Sequence, residues 1–337
     1  MSNPLQNPIQ LNFFERLKNT IEPSVSFPDL IGELLEIKSD SAYRRIRGET
    51  ILGLDEAFKL CKHFKIPLEE FAGSDKHNVT FAYESFGVNN LNINAYLESI
   101  INNLQGLKNL PDIHVYFAAE FVPVFHHFEF EEMTAFKFFY WQKSIVNDKK
   151  LTGKKFEFKE TSVETLKLAK KASALYDQIP STEIWNVETI NSTAMQIQYY
   201  WDSGLFESED DALLICDQLK QMVERIQEKA ERGLKFIGKD KEIPFNIFAT
   251  EVMIGNNSVL GVAQDFKIAL LTFNTFNSLT TSNAGFCEES EIWMKNMMKK
   301  SMLLNSVSEK QRFQFFQKIF KVIDSLKMRI EASALVK

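Results

Sequence analysis

Three arginines stand within four positions of one short segment, at Arg44, Arg45 and Arg47. The planar guanidinium fork of arginine binds guanine bidentately or clamps a phosphate, so the segment is a candidate for contact with nucleic acid. A helix that reads bases also needs small or polar residues in its first turn, because these allow close approach to base edges. Small and polar residues of this kind stand directly before the arginines. The candidate DNA-binding residues are therefore Lys38, Ser39, Asp40, Ser41, Ala42, Arg44, Arg45 and Arg47.

We expect a helix from Ser39 to Arg47, because Ser39 is a good N-cap and Gly48 is a natural stop. Tyr43 and Ile46, three positions apart, would face the core. Arg44 and Arg47 would lie at the sides, within reach of phosphates. Asp40 would accept from a cytosine amino group or cap the helix. The residues expected to share the outward face are Asp40, Ser41, Ala42 and Arg45.

Apolar residues at steps of three and four predict further helices on both sides of this segment. The predicted helices are Gln10 to Ile21, Phe27 to Leu35, Leu54 to Phe64, and a fifth that opens at Pro67. Only the polar break from Glu36 to Lys38 separates the second of the five helices from the third. We therefore predict that the first 75 residues form a small five-helix domain.

The stretch from Asp29 to Glu49, followed by Leu54 to Phe71, resembles the lambda-repressor/Cro-type helix-turn-helix family. The matching features are a leucine-rich second helix, a serine-capped reading helix and a closing helix with an Ile-Pro-Leu-Glu-Glu-Phe exit. The resemblance implies a DNA-binding domain of a bacterial transcription regulator, with Ser39 to Arg47 in the major groove. In this chain only Arg47 separates Ile46 from Gly48, one residue fewer than is usual in the family.

We predict that residues 76 to 337 form a larger, mostly helical domain. Strand-like residues occupy Asn78 to Phe86 and Ile113 to Ala118, and again Phe245 to Ile254 and Val259 to Thr275 around a Gly255 to Ser258 hairpin connection. We therefore predict a mainly α protein whose C-terminal domain contains a small antiparallel β-sheet. The predicted helices of this domain are Ile93 to Leu107, Phe128 to Ile145, Val163 to Ile179, Val187 to Trp201, Asp210 to Arg232, Glu288 to Leu304 and Glu309 to Glu331.

The composition favours a cytoplasmic protein. The three cysteines form no CxxC pair and no disulfide framework, and no segment approaches the length of apolar sequence that spans a membrane. The net charge of −6 argues mildly against a protein that coats nucleic acid along its whole surface, but a small docking face needs only local positive charge. No GxSxG, GxGxxG or HExxH motif occurs, so we expect no enzyme, no cofactor and no metal.

The C-terminal domain offers two candidate features. The aromatic block from Phe117 to Trp141 is either core or the lining of a cavity for a small apolar ligand. His126 and His127 are adjacent and therefore point in different directions, which is typical of a packed or surface pair more than of a metal site.

The expected function is a one-component DNA-binding transcription regulator that reads an operator as a homodimer, because two reading helices related by a two-fold axis can read a palindrome. The apolar stripes of Asp210 to Arg232 and of the last helix could pack across the dimer axis or within the core. Two alternatives remain open. One is a protein-interaction adaptor whose head does not bind DNA, and the other is an enzyme fused to a DNA-binding head.

Overall fold

The computed structural model describes residues 8–18, 21, 25–64, 66, 68, 78–86, 91–237, 242–306 and 308–334. The chain divides into two compact units. The first consists of Met1–Ala82 and Thr281–Phe286, and the second of Tyr83–Thr280 and Cys287–Lys337. The domain boundary that we predicted between residues 75 and 76 lies outside the described residues.

The first unit is built from helices packed on an aromatic and aliphatic core. They are α1 (Pro8–Lys18), α2 (Phe27–Leu35), α3 (Ser39–Ile46) and α4 (Leu54–Phe64). The predicted limits of α2 and α4 are confirmed, and α3 ends one residue earlier than predicted. The helix predicted to open at Pro67 lies outside the described residues apart from Leu68. The buried side chains that join these helices include Phe13, Phe14, Leu17, Ile31, Ala42 and Leu60.

The second unit holds most of the helical sequence. Its longest helices are α10 and α12, and α10 has a complete set of caps. Ser208 and Asp211 form a capping box at its start, and Gly233 ends it in the left-handed conformation at φ 70°. The described helices that lie wholly or mostly in this unit are α5 (Ile93–Lys108), α6 (Val124–His127), α7 (Glu131–Tyr140), α8 (Val163–Tyr176), α9 (Asn191–Asp202), α10 (Glu209–Arg232), α11 (Ala284–Lys299) and α12 (Glu309–Ala334).

The strands form one mixed sheet in the order β1-β8-β7-β6-β2-β3-β5-β4, with β9 paired to β5. They are β1 (Ala82–Glu84), β2 (His114–Ala119), β3 (Ser181–Trp185), β4 (Leu234–Ile237), β5 (Glu242–Ala249), β6 (Ser258–Val262), β7 (Lys267–Phe273), β8 (Asn277–Thr281) and β9 (Met302–Leu303). At its centre β2, β3 and β5 run parallel, with Phe117 opposite Glu183 and Glu183 opposite Ile247.

The predicted fold class, a mainly α protein with a small antiparallel sheet, is therefore wrong. Within the residues that the structure describes, the sheet has nine strands and mixes parallel with antiparallel pairs. Parallel neighbours need long crossover connections, and here α6, α7 and α8 lie between β2 and β3, while α9 and α10 lie between β3 and β5. The predicted hairpin across Gly255 to Ser258 is also wrong, because β5 pairs with β3 and β6 pairs with β2 and β7.

The aromatic block from Phe117 to Trp141 lies largely in the packed core, where Phe136 and Trp141 are almost completely buried. The apolar stripes of α10 and α12 are buried in the same core, so neither is left to pack across a dimer axis. The buried stripe residues are Ile215, Leu219, Met222, Ile226 and Ala230 of α10, and Phe316, Ile319, Phe320, Ile323, Leu326 and Ile330 of α12. Among the described helices, none has the length and apolar character needed to cross a membrane.

Candidate nucleic-acid interface

The helices α2 and α3 meet across a tight turn of Glu36, Ile37 and Lys38. Glu36 ends α2 in the left-handed conformation at φ 59°, and the Ile37 amide donates to the carbonyl oxygen of Gly32 over 2.9 Å. A Cβ atom at Gly32 would lie 3.0 Å from the carbonyl oxygen of Ile37 and 3.7 Å from the Cα atom of Ser39. The two helices therefore come this close because position 32 carries no side chain.

The amide of Gln10 holds the end of α3 against α1. Its Nε2 atom donates to the carbonyl oxygens of Arg45, at 2.7 Å, and Thr50, at 2.8 Å. Its Oε1 atom accepts from the Leu52 amide at 3.0 Å. Gln10 is 5% exposed, and leaving these backbone groups unpaired in the core would be costly. We did not single out Gln10 from the sequence, where it stands as one polar residue within an amphipathic helix.

Ser39 stabilises the start of α3 from within the helix. The N-cap is Lys38, not Ser39 as predicted, and Ser39 is the first helical residue. Its hydroxyl donates to Oδ1 of Asp29 over 2.7 Å. Hydrogen bonds from Ser26 and Ser39 lower the pKa of the Asp29 carboxyl. The contact ties the first turn of α2 to the first turn of α3.

The side of α3 that faces away from the core carries six exposed residues, which we name the α3 face. They are Lys38, Ser39, Asp40, Tyr43, Arg44 and Arg47. The predicted orientations of Ala42 and Tyr43 are wrong. Ala42, expected outward, is fully buried, while Tyr43, expected in the core, is 47% exposed. The signal was present, because Ala42 and Ile46 also form a helical stripe, at a spacing of four, and a small residue suits the close contact with α2.

Arg44 and Arg47 are the arginines available on the α3 face. The guanidinium of Arg47 lies 4.9 Å from the ring centroid of Tyr43, and its Nη1 atom is 3.8 Å from Oε1 of Glu49. The side chain of Arg44 makes no ion pair with another described residue. Both side chains are exposed. Ser41 is half-buried, at the edge of this face.

Arg45 lies elsewhere and is paired. Its Nε and Nη2 atoms donate to the two carboxylate oxygens of Glu56, at 3.0 and 2.9 Å. Oε2 of Glu56 also accepts from the Gly53 amide at 3.0 Å. Burial alone would raise the pKa of Glu56, but the hydrogen bonds from Arg45 and Gly53 outweigh it and lower that pKa. The guanidinium that we predicted to face bases therefore joins α3 to α4.

The histidine pair of the second unit is buried and held by different partners. His126 contacts both carboxylate oxygens of Glu183, at 2.9 and 3.1 Å, and His127 contacts Oγ1 of Thr193 at 3.1 Å. Within the part of the chain that the structure describes, no three His, Cys, Asp or Glu side chains are grouped as a metal site would require.

No protein-family model, no curated protein and no solved structure matches this chain. Its function is therefore inferred from its own residues and their geometry.

Proposed function

We propose that the first unit is a helix-turn-helix domain of the lambda-repressor/Cro kind and binds double-stranded DNA through the α3 face. In this proposal the chain is a one-component transcription regulator that acts as a homodimer in the cytoplasm. α3 lies in the major groove, where Asp40 and Tyr43 meet base edges and Arg44 and Arg47 bind phosphates or guanine.

The close packing of α2 and α3 at Gly32 is the observation that carries this proposal. A reading helix must be held rigidly on its partner helix while its other side stays clear for the groove. Gly32 and Asp29 of α2 and the Gln10 amide of α1 hold α3 at three points. The opposite side presents Lys38, Arg44 and Arg47, which supply local positive charge in an acidic chain.

The test is selection of duplexes from a random pool by the full chain, followed by anisotropy titration of the best duplex at several salt concentrations. We expect Arg44→Ala and Arg47→Ala each to weaken binding by about tenfold and to reduce the salt slope by about one. Lys62→Ala is the matched control, since Lys62 is an exposed lysine of α4 that is not part of the α3 face. It should change the affinity little. Arg45→Ala is unsuitable as a contact variant, because it would leave Glu56 without its partner.

A protein-interaction adaptor is the second candidate, and one feature of the first unit favours it. Leu54 and Phe58 share one side of α4, at 66% and 56% exposed, and Ile51, three residues before Leu54, is 67% exposed. We name these three residues the α4 strip. Exposed apolar patches mark protein contacts. If no duplex is enriched, DNA binding is refuted and the adaptor becomes the better account. If Arg44→Ala and Arg47→Ala bind the enriched duplex as tightly as the wild type does, DNA binding through the α3 face is refuted.

A further inference from the structure

The second unit has an open cleft at the carboxyl ends of the parallel strands β2, β3 and β5. The residues that follow these strands line it, namely Glu120 after β2, Asn186 after β3 and Thr250 after β5. In sheets with helical crossovers, ligands bind outside the carboxyl ends of the parallel strands, because the connections diverge there and leave a crevice. The topology therefore places this cleft where a binding site is expected.

Apolar side chains that face solvent are concentrated around the cleft. Met253 is 86% exposed, Met195 67%, Tyr199 55% and Met302 48%. Exposed apolar groups gathered in one concave region indicate a binding surface. Methionine is unbranched and flexible, so a methionine-rich lining adapts to apolar side chains of different shape. Phe121 and Val252 extend the same lining.

The lining of the cleft carries charges of both signs. Glu120, Glu188 and Glu251 belong to the connections that follow the three strands, whereas Lys299 ends α11, Lys300 follows it and Lys318 lies on α12. The three lysines make no ion pair with another residue of the described chain. A ligand with charge of both signs therefore matches this cleft better than a ligand with one charge does.

Amide side chains complete the lining, at Gln196 of α9 and at Gln311 and Gln314 of α12. An amide offers both a donor and an acceptor, which are the two groups that a peptide backbone needs. Gln196 is held in place, since its Oε1 atom accepts from Nζ of Lys137 over 2.7 Å. Gln311 and Gln314 are exposed and make no side-chain hydrogen bond with other described residues.

The size of this open cleft favours a ligand longer than a metabolite. Its volume is about 1990 Å³, whereas pockets for small molecules have about 300–1,000 Å³. We propose that the cleft binds a short oligopeptide with apolar side chains and free, oppositely charged termini. The methionines and aromatic residues contact its side chains, the glutamines bind its backbone, and the glutamates and lysines of the lining bind its amino and carboxylate ends. This inference goes beyond DNA binding and does not depend on it.

The experiment uses the full chain and a pool of synthetic hexapeptides with free termini and apolar residues at the inner positions. Peptides retained with the protein on ultrafiltration are identified by mass spectrometry, and the best one is titrated. The cleft variant is Met195→Gln with Met253→Gln. Met328→Gln is the matched control, because Met328 is a methionine that is 60% exposed and does not line the cleft. We expect the cleft variant to bind the peptide at least about tenfold more weakly and the control to bind it as the wild type does.

A second pair of measurements tests the charged residues of the lining and also serves if the methionine variant fails to fold. Blocking both peptide termini, or changing Lys299→Gln with Lys300→Gln, should weaken binding of the same peptide. The proposal is overturned if no hexapeptide is retained, or if the cleft and control variants bind it equally. It is also overturned if myristate is retained through the cleft methionines and peptides are not. None of these results depends on whether the chain binds DNA.

Discussion

Arg45 serves the fold of the first unit instead of the surface we expected it to join. Its fork meets both oxygens of Glu56, and the same carboxylate accepts the Gly53 amide at the start of α4. A glutamate in the first turn of a helix often accepts backbone amides there, and this one also attracts the nearest arginine. Arg44, Arg45 and Arg47 lie at different angles around the axis of α3. The arginine cluster in the sequence therefore could not show which arginine pairs within the fold and which two are exposed.

In the second unit, the burial of Lys137 changes the pKa of its amine. Lys137 of α7 is 6% exposed, and its Nζ atom contacts Oε1 of Gln196 at 2.7 Å and Oγ1 of Thr193 at 3.5 Å. Burial lowers the pKa of Lys137 to about 7. Between about pH 7 and pH 10.5 the unfolded chain therefore binds more protons at this lysine than the folded protein does. The free energy of unfolding consequently rises with pH through that window.

We predict that Lys137→Met raises the free energy of unfolding at pH 7, by about 1–3 kcal/mol, and that this gain shrinks by pH 9.5. The variant removes an amine that must lose its proton or its hydration on folding, and methionine fills a similar volume. Urea denaturation of the full chain at the two pH values measures the effect. Lys167→Met, at an exposed position of α8, is the control and should show no such pH dependence. A Lys137→Met protein that is less stable at both pH values would mean that the charged amine is needed.

At the scale of elements, local patterns predicted helices well and the sheet poorly. The limits of α2 and α4, and the end of α10 at Gly233, follow from stripes and caps that lie within a few residues of each other. The strand β3 was missed, because its five residues, Ser181–Trp185, are all buried and include Thr182 and Glu183, so they show no alternation. From sequence alone, a glutamate is expected to be exposed, so Glu183 argued against a buried strand as long as its partners were unknown.

One of those partners and both neighbouring strands come from distant parts of the chain, which is why sequence patterns could not predict the sheet. Glu183 is contacted by His126, 57 residues before it, and by the nearby hydroxyl of Tyr176 at 2.7 Å and Nε1 of Trp185 at 2.8 Å. In the sheet it lies between Phe117 and Ile247. Burial alone would raise the pKa of Glu183, but the charge and hydrogen bond of His126 and the charge of Lys235 lower it to about 2. The cleft was missed for the same reason, since its position follows from the parallel order of β2, β3 and β5.

The packing of α2 on α3 leads to a prediction at this scale. Alanine usually stabilises a helix relative to glycine, by about 1 kcal/mol. At Gly32 we expect the opposite, because the new Cβ atom would meet the backbone oxygen of Ile37 at 3.0 Å and the helices would have to move apart. Gly32→Ala should lower the melting temperature of the first unit and weaken the binding of the selected duplex.

Gly106 provides the matched control for this prediction. It lies in α5, and a Cβ atom added there would meet nothing within 4 Å. Gly106→Ala should therefore keep or raise the melting temperature, measured by differential scanning calorimetry of the full chain. If Gly32→Ala were tolerated as well as Gly106→Ala is, the close approach of α2 and α3 would not be required for the fold.

At the scale of the whole molecule, the expected homodimer has to be formed by surfaces other than the stripes of α10 and α12, because those stripes are buried within one chain. The α4 strip of Ile51, Leu54 and Phe58 is an exposed apolar surface within the DNA-binding unit we propose. A dimer formed there would relate two reading helices by one two-fold axis, as a palindrome requires.

We predict that light scattering gives twice the chain mass of 39.0 kDa. The double variant Leu54→Ser with Phe58→Ser should shift the protein towards monomer. It should also weaken binding to a palindromic duplex more than binding to a half-site. Val163→Ser, at an exposed valine of α8, is the control and should leave both properties unchanged. A wild-type monomer, or a dimer that the double variant does not weaken, would exclude the α4 strip as the dimer contact and would leave it as a surface for another protein.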